Sequence, residues 1–206
     1  MRRCAVCGKV TKARKCPADS FPTLRVVSGS GQEIAPGSKI GERYEVTELI
    51  GQGGFGKVFG VKDLQTGTAM AVKVLSPAFN AESEEATRRF VREANTTSKL
   101  THGNTIRVFD YGQTQNAQLF LVMERLYGEP LSARLNSFRI TGRPMPAAEI
   151  IRIGCGVLAS LSEAHKLGLV HRDMKPENVF LHQLGKRDIV KVLDFGIVRE
   201  KNSQMT

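Results

Sequence analysis

The sequence predicts an α+β chain with two lobes, a small strand-rich lobe followed by a lobe that is mainly helical. Five strand-like segments surround one amphipathic helix between residues 44 and 126, and a single long helical pattern follows them. The chain has 206 residues, 41% hydrophobic and 24% charged, which is the composition of an ordinary globular protein.

The first lobe is predicted to hold a five-stranded antiparallel sheet. YEVTELI (44–50) alternates apolar and polar residues, and KVFGVKD (57–63) and TAMAVKVL (68–75) flank a turn at residues 65–67. AESEEATRRFVREANTTSKL (81–100) has acids in its first turn and an apolar stripe, which predicts a helix. IRVFDYG and LFLVMERL complete the five strands.

The second lobe begins with a long helical pattern, PAAEIIRIGCGVLASLSEAHKLG (146–168), which has proline near its start and Gly168 after its end. Its apolar content predicts a buried helix, with Cys155 as a small buried residue. Two short strands, VFLH and IVKVLD, follow the helix and are predicted to form a hairpin around the segment HQLGKRDIV.

Two further segments precede the first strand. Residues 1–20 are rich in cysteine and basic residues, and residues 21–43 contain serine, glycine and proline without periodicity, which predicts a linker. The net charge is +10, and residues 1–16 contribute six Lys and Arg residues and no acid. This basic run is either a solvated terminus or a contact for nucleic acid or anionic lipid. The mixed charge of the remainder predicts no clear nucleic-acid partner.

The chain contains no run of 18 or more apolar residues, so no membrane segment is predicted in this stretch. The basic start MRRCAVCGKV lacks the apolar core of a secretory signal. A cytoplasmic location is therefore expected.

The glycine-rich segment GQGGFGKV (51–58) lies between two predicted strands. In a dinucleotide-binding fold such a motif opens a helix, which the continuation Lys57-Val58-Phe59 argues against. Two interpretations stay open: a hairpin turn without a ligand, and a loop whose backbone N–H groups lie over phosphates.

Lys73 lies in the middle of the apolar strand AVKVL. Burying a lysine is costly unless a partner compensates its charge. Either the side chain extends to solvent, or it is held to meet phosphate oxygens with Glu93 of the following helix as its partner.

The polar run HRDMKPEN (171–178) and the later DFG (194–196) supply oxygen ligands. Asp173, Asn178 and Asp194 offer carboxylate and amide oxygens, which Mg²⁺ prefers. Together with a phosphate-binding loop, this set predicts a magnesium–nucleotide site.

Five motifs now follow one another: GQGGFGKV, AVKVL, the FVREA stretch of the helix that carries Glu93, HRDMKPEN and DFG. Their order and approximate spacing resemble the eukaryotic-like (Hanks-type) protein kinases, and most of all the bacterial serine/threonine kinases. The resemblance covers about residues 44–200 and implies a two-lobe kinase fold that transfers the γ-phosphate of Mg-ATP to Ser/Thr hydroxyls of protein substrates in signalling. The chain stops ten residues after Gly196, so the expected helical lobe is C-terminally incomplete, with part of the apolar face of the 146–168 helix exposed. The alternative is a nucleotide-binding but catalytically incomplete fragment that acts through interactions.

The resemblance also implies residue roles. Asp173 would accept the proton of the substrate hydroxyl, Lys175 would neutralise the transferred phosphate, and Lys73, paired with Glu93, would contact the α- and β-phosphates. Mg²⁺ would be held by Asn178 and Asp194. The implied ATP-contact positions, including gatekeeper and hinge residues, are Ile50, Gly51, Gly53, Gly56, Val58, Ala71, Lys73, Met123, Glu124, Leu126 and Phe180.

Two neighbours of Asp173 have implied roles of another kind. His171 would support the loop rather than act as the base. Arg172 would meet a phosphorylated activation loop, for which Ser203 and Thr206 are candidate phosphosites or ordinary tail residues.

The cysteine segment has the spacing Cys4-x2-Cys7 followed by Cys16-x2-Asp19. The first pair resembles half of a zinc ribbon, whereas Asp19 is a poorer structural zinc ligand than cysteine. Zn²⁺ binding by Cys4, Cys7, Cys16 and Asp19, and free thiols, both stay open.

Overall fold

The computed structural model of the chain describes residues 2–4, 7, 9–13, 15–18, 23–25, 33–54, 56–76, 84–116, 118–185 and 187–195. The chain divides into two compact units. The first contains Met1–Ser98 and Val108–Arg125, and the second contains Lys99–Arg107 and Leu126–Thr206. Within the described ranges, no helix is both long enough and apolar enough to cross a membrane.

The first unit contains a six-stranded sheet in which neighbouring strands are antiparallel, in the order β4-β5-β6-β7-β9-β8. The strands are β4 (Lys39–Ile40), β5 (Tyr44–Gly53), β6 (Gly56–Asp63), β7 (Ala69–Leu75), β8 (Val108–Gln113) and β9 (Leu119–Glu124). Helix α1 (Glu84–Thr97) lies between β7 and β8 in sequence. The five predicted strands and the helix are confirmed, and β4 adds a short sixth strand.

One face of this sheet is packed as a hydrophobic core. Alternate residues of β5, β6, β7 and β9 supply it, as the period of two predicts. Its buried members are Ile40, Tyr44, Val46, Phe59, Val61, Val72, Val74, Phe120 and Val122. Two polar contacts lie at the edge of this core. Arg43 binds the buried carboxylate of Asp63, and the Tyr44 hydroxyl donates to Asp110.

A second, small sheet lies in the cysteine segment. Its strands β1 (Arg2–Cys4), β2 (Val10–Thr11) and β3 (Thr23–Arg25) are antiparallel in the order β2-β1-β3.

The prediction of a linker at residues 21–43 is therefore wrong at both ends. Residues Thr23–Arg25 pair with β1, and Lys39–Ile40 pair with β5. Both short strands are stabilised by burial of a side chain, Thr23 in one and Ile40 in the other. Strands of two or three residues are too short to show an alternating pattern in the sequence.

The second unit combines two helices with a three-stranded antiparallel sheet in the order β10-β11-β12. Its elements are β10 (Gly128–Pro130), α2 (Leu131–Thr141), α3 (Ala147–Lys166), a 3₁₀ turn (Pro176–Asn178), β11 (Val179–Leu184) and β12 (Arg187–Val192). The predicted β11–β12 hairpin is confirmed. Helix α2 was not predicted, because none of its residues is buried and it therefore lacks an apolar stripe.

Helix α3 is not the buried helix that its composition predicts. Its buried residues are Ile153, Ser160 and Ala164, whereas Ile151 and Leu158 are 65% and 67% exposed. Cys155 is also exposed, so its predicted burial is wrong. The reason is that α3 is apolar on more of its circumference than the described elements cover, in agreement with the expected exposure of part of its apolar face.

Candidate active site

The glycine-rich segment forms the hairpin between β5 and β6, in which Gly53 lies opposite Gly56. Gly56 has a φ of 138°, and a Cβ there would lie 2.1 Å from the backbone oxygen of Val74. Only glycine fits this position. At Gly51 and Gly53 an added Cβ would meet nothing within 4 Å, so the backbone is open to an approaching group. A strand follows the loop, as predicted, and this differs from the helix of a dinucleotide-binding fold.

Four of the predicted nucleotide positions share one face of the large sheet. Lys73 lies opposite Val58, and Ala71 lies opposite Met123. Directly paired residues, and residues two apart on a strand, point to the same face. The hydrophobic core occupies the other face, so Val58, Ala71, Lys73 and Met123 form one surface.

Lys73 is half-buried on this surface and Glu93 is half-buried on α1. Phe90, one turn before Glu93, is buried and packs edge-on against Tyr111 of β8 with ring centroids 6.3 Å apart. This contact fixes the face that α1 turns towards the sheet. The pairing of Lys73 with Glu93 stays a prediction.

The remaining nucleotide positions are spread over both units. Ile50 lies at the irregular part of β5, and Glu124 ends β9 opposite Met70. Leu126 follows β9, and Phe180 lies half-buried in β11 opposite Pro130. Their contacts with a nucleotide stay predictions.

In the second unit, Asp173 is held by two side chains from its own loop. Its Oδ2 accepts from Lys175 Nζ at 3.0 Å and from Asn178 Nδ2 at 3.1 Å, and Asn178 Nδ2 also donates to the Asp173 backbone oxygen at 2.8 Å. The hydrogen bond from Lys175, with further help from Asn178, lowers the pKa of Asp173 below its ordinary value. The Lys175 contact was not predicted, although a spacing of two residues in a loop permits it.

His171 is buried and has both ring nitrogens engaged. Nδ1 lies 3.4 Å from the backbone nitrogen of Asp173, and Nε2 lies 2.6 Å from the backbone oxygen of Leu193. Because Nδ1 faces a donor, the ring proton lies on Nε2 and is donated to Leu193. The ring also packs 4.8 Å from that of Phe195. These contacts match the supporting role expected of His171 and leave it no free nitrogen for proton abstraction.

The backbone segments that carry the two predicted magnesium ligands are hydrogen-bonded to each other. The backbone N–H of Leu193 donates to the backbone oxygen of Asn178 at 2.8 Å, and Asp194 follows directly with a left-handed φ of 50°. Since the Asn178 amide nitrogen donates to Asp173, its Oδ1 is left to act as a ligand. A carboxylate and an amide oxygen fit a hard cation. Phe195 is buried, and Gly196, like Ser203 and Thr206, lies outside the described residues.

Sequence reasoning missed the contacts that hold residues 99–107. The carboxylate of Glu163 on α3 accepts the backbone N–H groups of Thr101 and His102 at 2.9 and 3.0 Å. Asn104 donates to the backbone oxygen of Val190 at 2.8 Å. No local pattern signals these bonds, because the partners lie about 60 to 90 residues apart in sequence.

Cys4, Cys7 and Cys16 come together in the small sheet, with their Sγ atoms within 4.8 Å of one another. Cys4 and Cys16 are buried, and Cys7 is exposed. The Cys7 and Cys16 sulfurs are 3.5 Å apart, which is too long for a disulfide. Asp19, the predicted fourth ligand, lies outside the described residues.

Comparison with known proteins supports the kinase resemblance that the motifs indicate. The family described as protein kinase domain matches residues 44–206. The chain is 40% identical over 170 residues to the serine/threonine-protein kinase pkn3 of Myxococcus xanthus, covering 81% of this chain and 30% of pkn3. It is 32% identical to Pkn1 of the same organism over 213 residues, covering 98% of this chain and 29% of Pkn1. The chain therefore spans less than a third of the length of either relative.

The structure is also similar to a crystal structure of the Mycobacterium tuberculosis PknI kinase domain. The TM-score is 0.71 at 30% identity, over 82% of this chain and 64% of that chain. Sequence and fold thus agree, and the predicted kinase fold is confirmed. This chain belongs to the protein kinase domain family.

Proposed function

We propose that this chain is the ATP-dependent serine/threonine kinase part of a signalling protein, transferring the γ-phosphate of Mg-ATP to Ser/Thr hydroxyls of protein substrates. The observation that carries the proposal is the pair of hydrogen bonds that Asp173 accepts from Lys175 and Asn178. The backbone oxygen of Asn178 in turn accepts from Leu193, the residue before Asp194. This arrangement joins a carboxylate base, a cation for phosphate and two metal ligands within one unit.

Asp173 acts as the residue that orients the substrate hydroxyl and accepts its proton. The carboxylate is ionised at neutral pH, and hydrogen bonds from Lys175 and Asn178 fix its orientation towards an incoming hydroxyl. Lys175, whose ammonium already lies at Asp173, is placed to neutralise charge on the transferred phosphoryl group.

The first unit supplies nucleotide-binding groups. The open backbone at Gly51 and Gly53 suits phosphate oxygens, and Lys73 provides a cation on the same sheet face as Val58 and Ala71. The apolar neighbours suit a purine ring. The oxygens of Asn178 and Asp194 would hold Mg²⁺, which would neutralise phosphate charge.

Serine and threonine are proposed as acceptors for two reasons. Both pkn3 and Pkn1 are named serine/threonine-protein kinases, and a lysine at position 175 resembles Ser/Thr rather than Tyr kinases. Transfer of labelled phosphate from Mg-ATP to a generic protein substrate, followed by phosphoamino-acid analysis, tests this. We expect phosphoserine or phosphothreonine with the native chain and none with Lys73→Met. Phosphotyrosine alone would contradict the proposal, and ATP binding without transfer would favour the interaction-only alternative.

We also infer that Cys4, Cys7 and Cys16 bind Zn²⁺. Three thiolates at tetrahedral positions about 2.3 Å from zinc lie about 3.8 Å apart, and the observed sulfur separations, from 3.5 Å to within 4.8 Å, bracket that value. Metal analysis should find one zinc per chain, retained in Cys155→Ser and lost or weakened in Cys7→Ser. A zinc-free native chain would end this inference. The cytoplasmic location stays a prediction.

A further inference from the structure

Few of the described side chains in the sheet of β1, β2 and β3, here called the cysteine sheet, are buried apart from its thiols. Among the side chains described between residues 4 and 23, those that are buried are Cys4, Cys16 and Thr23. Strands of three, two and three residues cannot bury enough apolar surface to be stable alone. A structural metal commonly replaces a core in segments of this size. A metal ion that joined the sulfurs would therefore stabilise this sheet.

The cluster is connected directly to the outer strand β3. Cys4 lies opposite Thr23 in the β1–β3 register. The Thr23 hydroxyl donates to the backbone oxygen of Ala13 at 2.5 Å, which ties β3 to the loop between Cys7 and Cys16. The backbone N–H of Cys4 donates to Lys9 at 2.9 Å and closes the turn that carries Cys7. A constraint on the sulfurs is thus transmitted to β3.

Strand β3 in turn lies beside β8, the edge strand of the large sheet. Unprotected edges of sheets are weak points, and proteins commonly cover them. β8 also carries Tyr111, which packs against Phe90 of α1. The elements from the cysteine cluster to α1 are therefore contiguous within the first unit.

We propose that the cysteine sheet is a zinc-dependent brace, which covers the edge strand β8 and through it holds α1, the helix of Glu93, in place. This inference rests on the proposed zinc site. Its consequence is that removal of zinc loosens β8 and α1 without unfolding the second unit.

Amide hydrogen exchange of the full chain tests the brace, with zinc bound, after removal of zinc by a chelator, and after zinc is restored. We expect exchange in residues 108–113 and 84–97 to become about tenfold faster without zinc, because β8 and α1 would then open locally more often. Exchange should slow again when zinc returns. Exchange in the β11–β12 hairpin, residues 179–192, is the internal reference and should not change.

Variants separate the brace from the zinc site itself. Cys7→Ser, at the exposed ligand, should reproduce the zinc-free exchange pattern, and Cys155→Ser, at an exposed cysteine outside the cluster, should behave as the native chain. If zinc binds but exchange at 108–113 and 84–97 is the same with and without it, the brace is wrong while the zinc site stands. If no zinc binds, both are wrong.

Discussion

Asn178 donates from one amide nitrogen to both the backbone oxygen and Oδ2 of Asp173, at 2.8 and 3.1 Å. The same carboxylate oxygen accepts from Lys175, so Asp173 is oriented before any substrate is present. The amide of Asn178 is oriented by the same bonds, which leave its oxygen for a cation. The two hydrogen bonds between Asn178 and Asp173 thus orient both the proposed base and the proposed metal ligand.

The first prediction concerns the pKa of Asp173. Because the hydrogen bond from Lys175 is the main cause that lowers this pKa below the ordinary 3.8, Lys175→Met should raise it towards that value. A carboxyl-carbon NMR titration of the nucleotide-free chain measures this. Lys166→Met, at the end of α3, is the matched control and should leave the titration unchanged. An unchanged Asp173 titration in Lys175→Met would show that the contact does not form in solution.

The second prediction concerns the glycine hairpin. A Cβ at position 56 would collide with the backbone of Val74, and the backbone there has a φ of 138°, which residues with a side chain rarely adopt. Gly56→Ala should therefore lower the free energy of unfolding by about 1–3 kcal/mol or more. Gly53→Ala, where the added methyl group meets no atom within 4 Å, should change it far less. Urea denaturation without nucleotide gives both values, and equal effects would refute the described hairpin geometry.

The third prediction concerns pH and stability. Asp63 is buried, and the Arg43 guanidinium, with bonds of 2.9 and 2.6 Å, holds its pKa well below the ordinary 3.8. A carboxyl with a depressed folded-state pKa stabilises the fold above its unfolded pKa and loses this effect as the pH falls. Asp63→Asn should therefore be least stable relative to the native chain at pH 7, and the difference should shrink below about pH 3.8. Denaturant titrations at several pH values measure the difference in the free energy of unfolding between the native chain and Asp63→Asn. A difference that did not change with pH would contradict this prediction.

The fourth prediction concerns Arg134, which joins three carboxylates in the second unit. It binds Glu129, Glu149 and Asp188 at 2.5, 2.6 and 3.1 Å. Arg134→Met leaves these acids clustered without their cation. Hydrogen bonds to charged groups contribute about 1.5–3 kcal/mol, and because Arg134 is partly exposed, we expect the free energy of unfolding to fall by an amount near the lower end of that range. Arg139→Met on the same helix, whose side chain bonds only to Asn136 among the contacts described, should cost less than half as much. Similar losses in urea denaturation would show that the cluster adds no stability.

Much of the fold could be predicted because the large sheet has regular alternation. Val72 and Val74 on one face and Lys73 on the other follow from the period of two. The loop 171–178 was recognisable from residue types at fixed spacing. Strands such as Lys39–Ile40 are too short to show an alternating pattern, and the surface helix at 131–141 has no buried residue and therefore no apolar stripe to signal it.

The environment of each site residue was harder to predict than its identity. The bond from His171 to Leu193 joins residues 22 apart, and Glu163 binds backbone groups about 60 residues away. Cys155 was predicted to be buried because cysteine is usually buried, but it lies on the exposed part of α3. Such contacts depend on tertiary packing, which residue type and periodicity do not encode.

The most direct test of the central claim is single-turnover transfer of labelled γ-phosphate from Mg-ATP to a Ser/Thr protein substrate, comparing the native chain with Asp173→Asn. Removing a positioned base should slow transfer by about 10²–10⁴-fold, while the affinity for Mg-ATP, measured separately, stays close to that of the native chain. Equal transfer rates for the two chains, or no transfer by the native chain, would contradict the assignment of Asp173 as the catalytic base of a protein kinase.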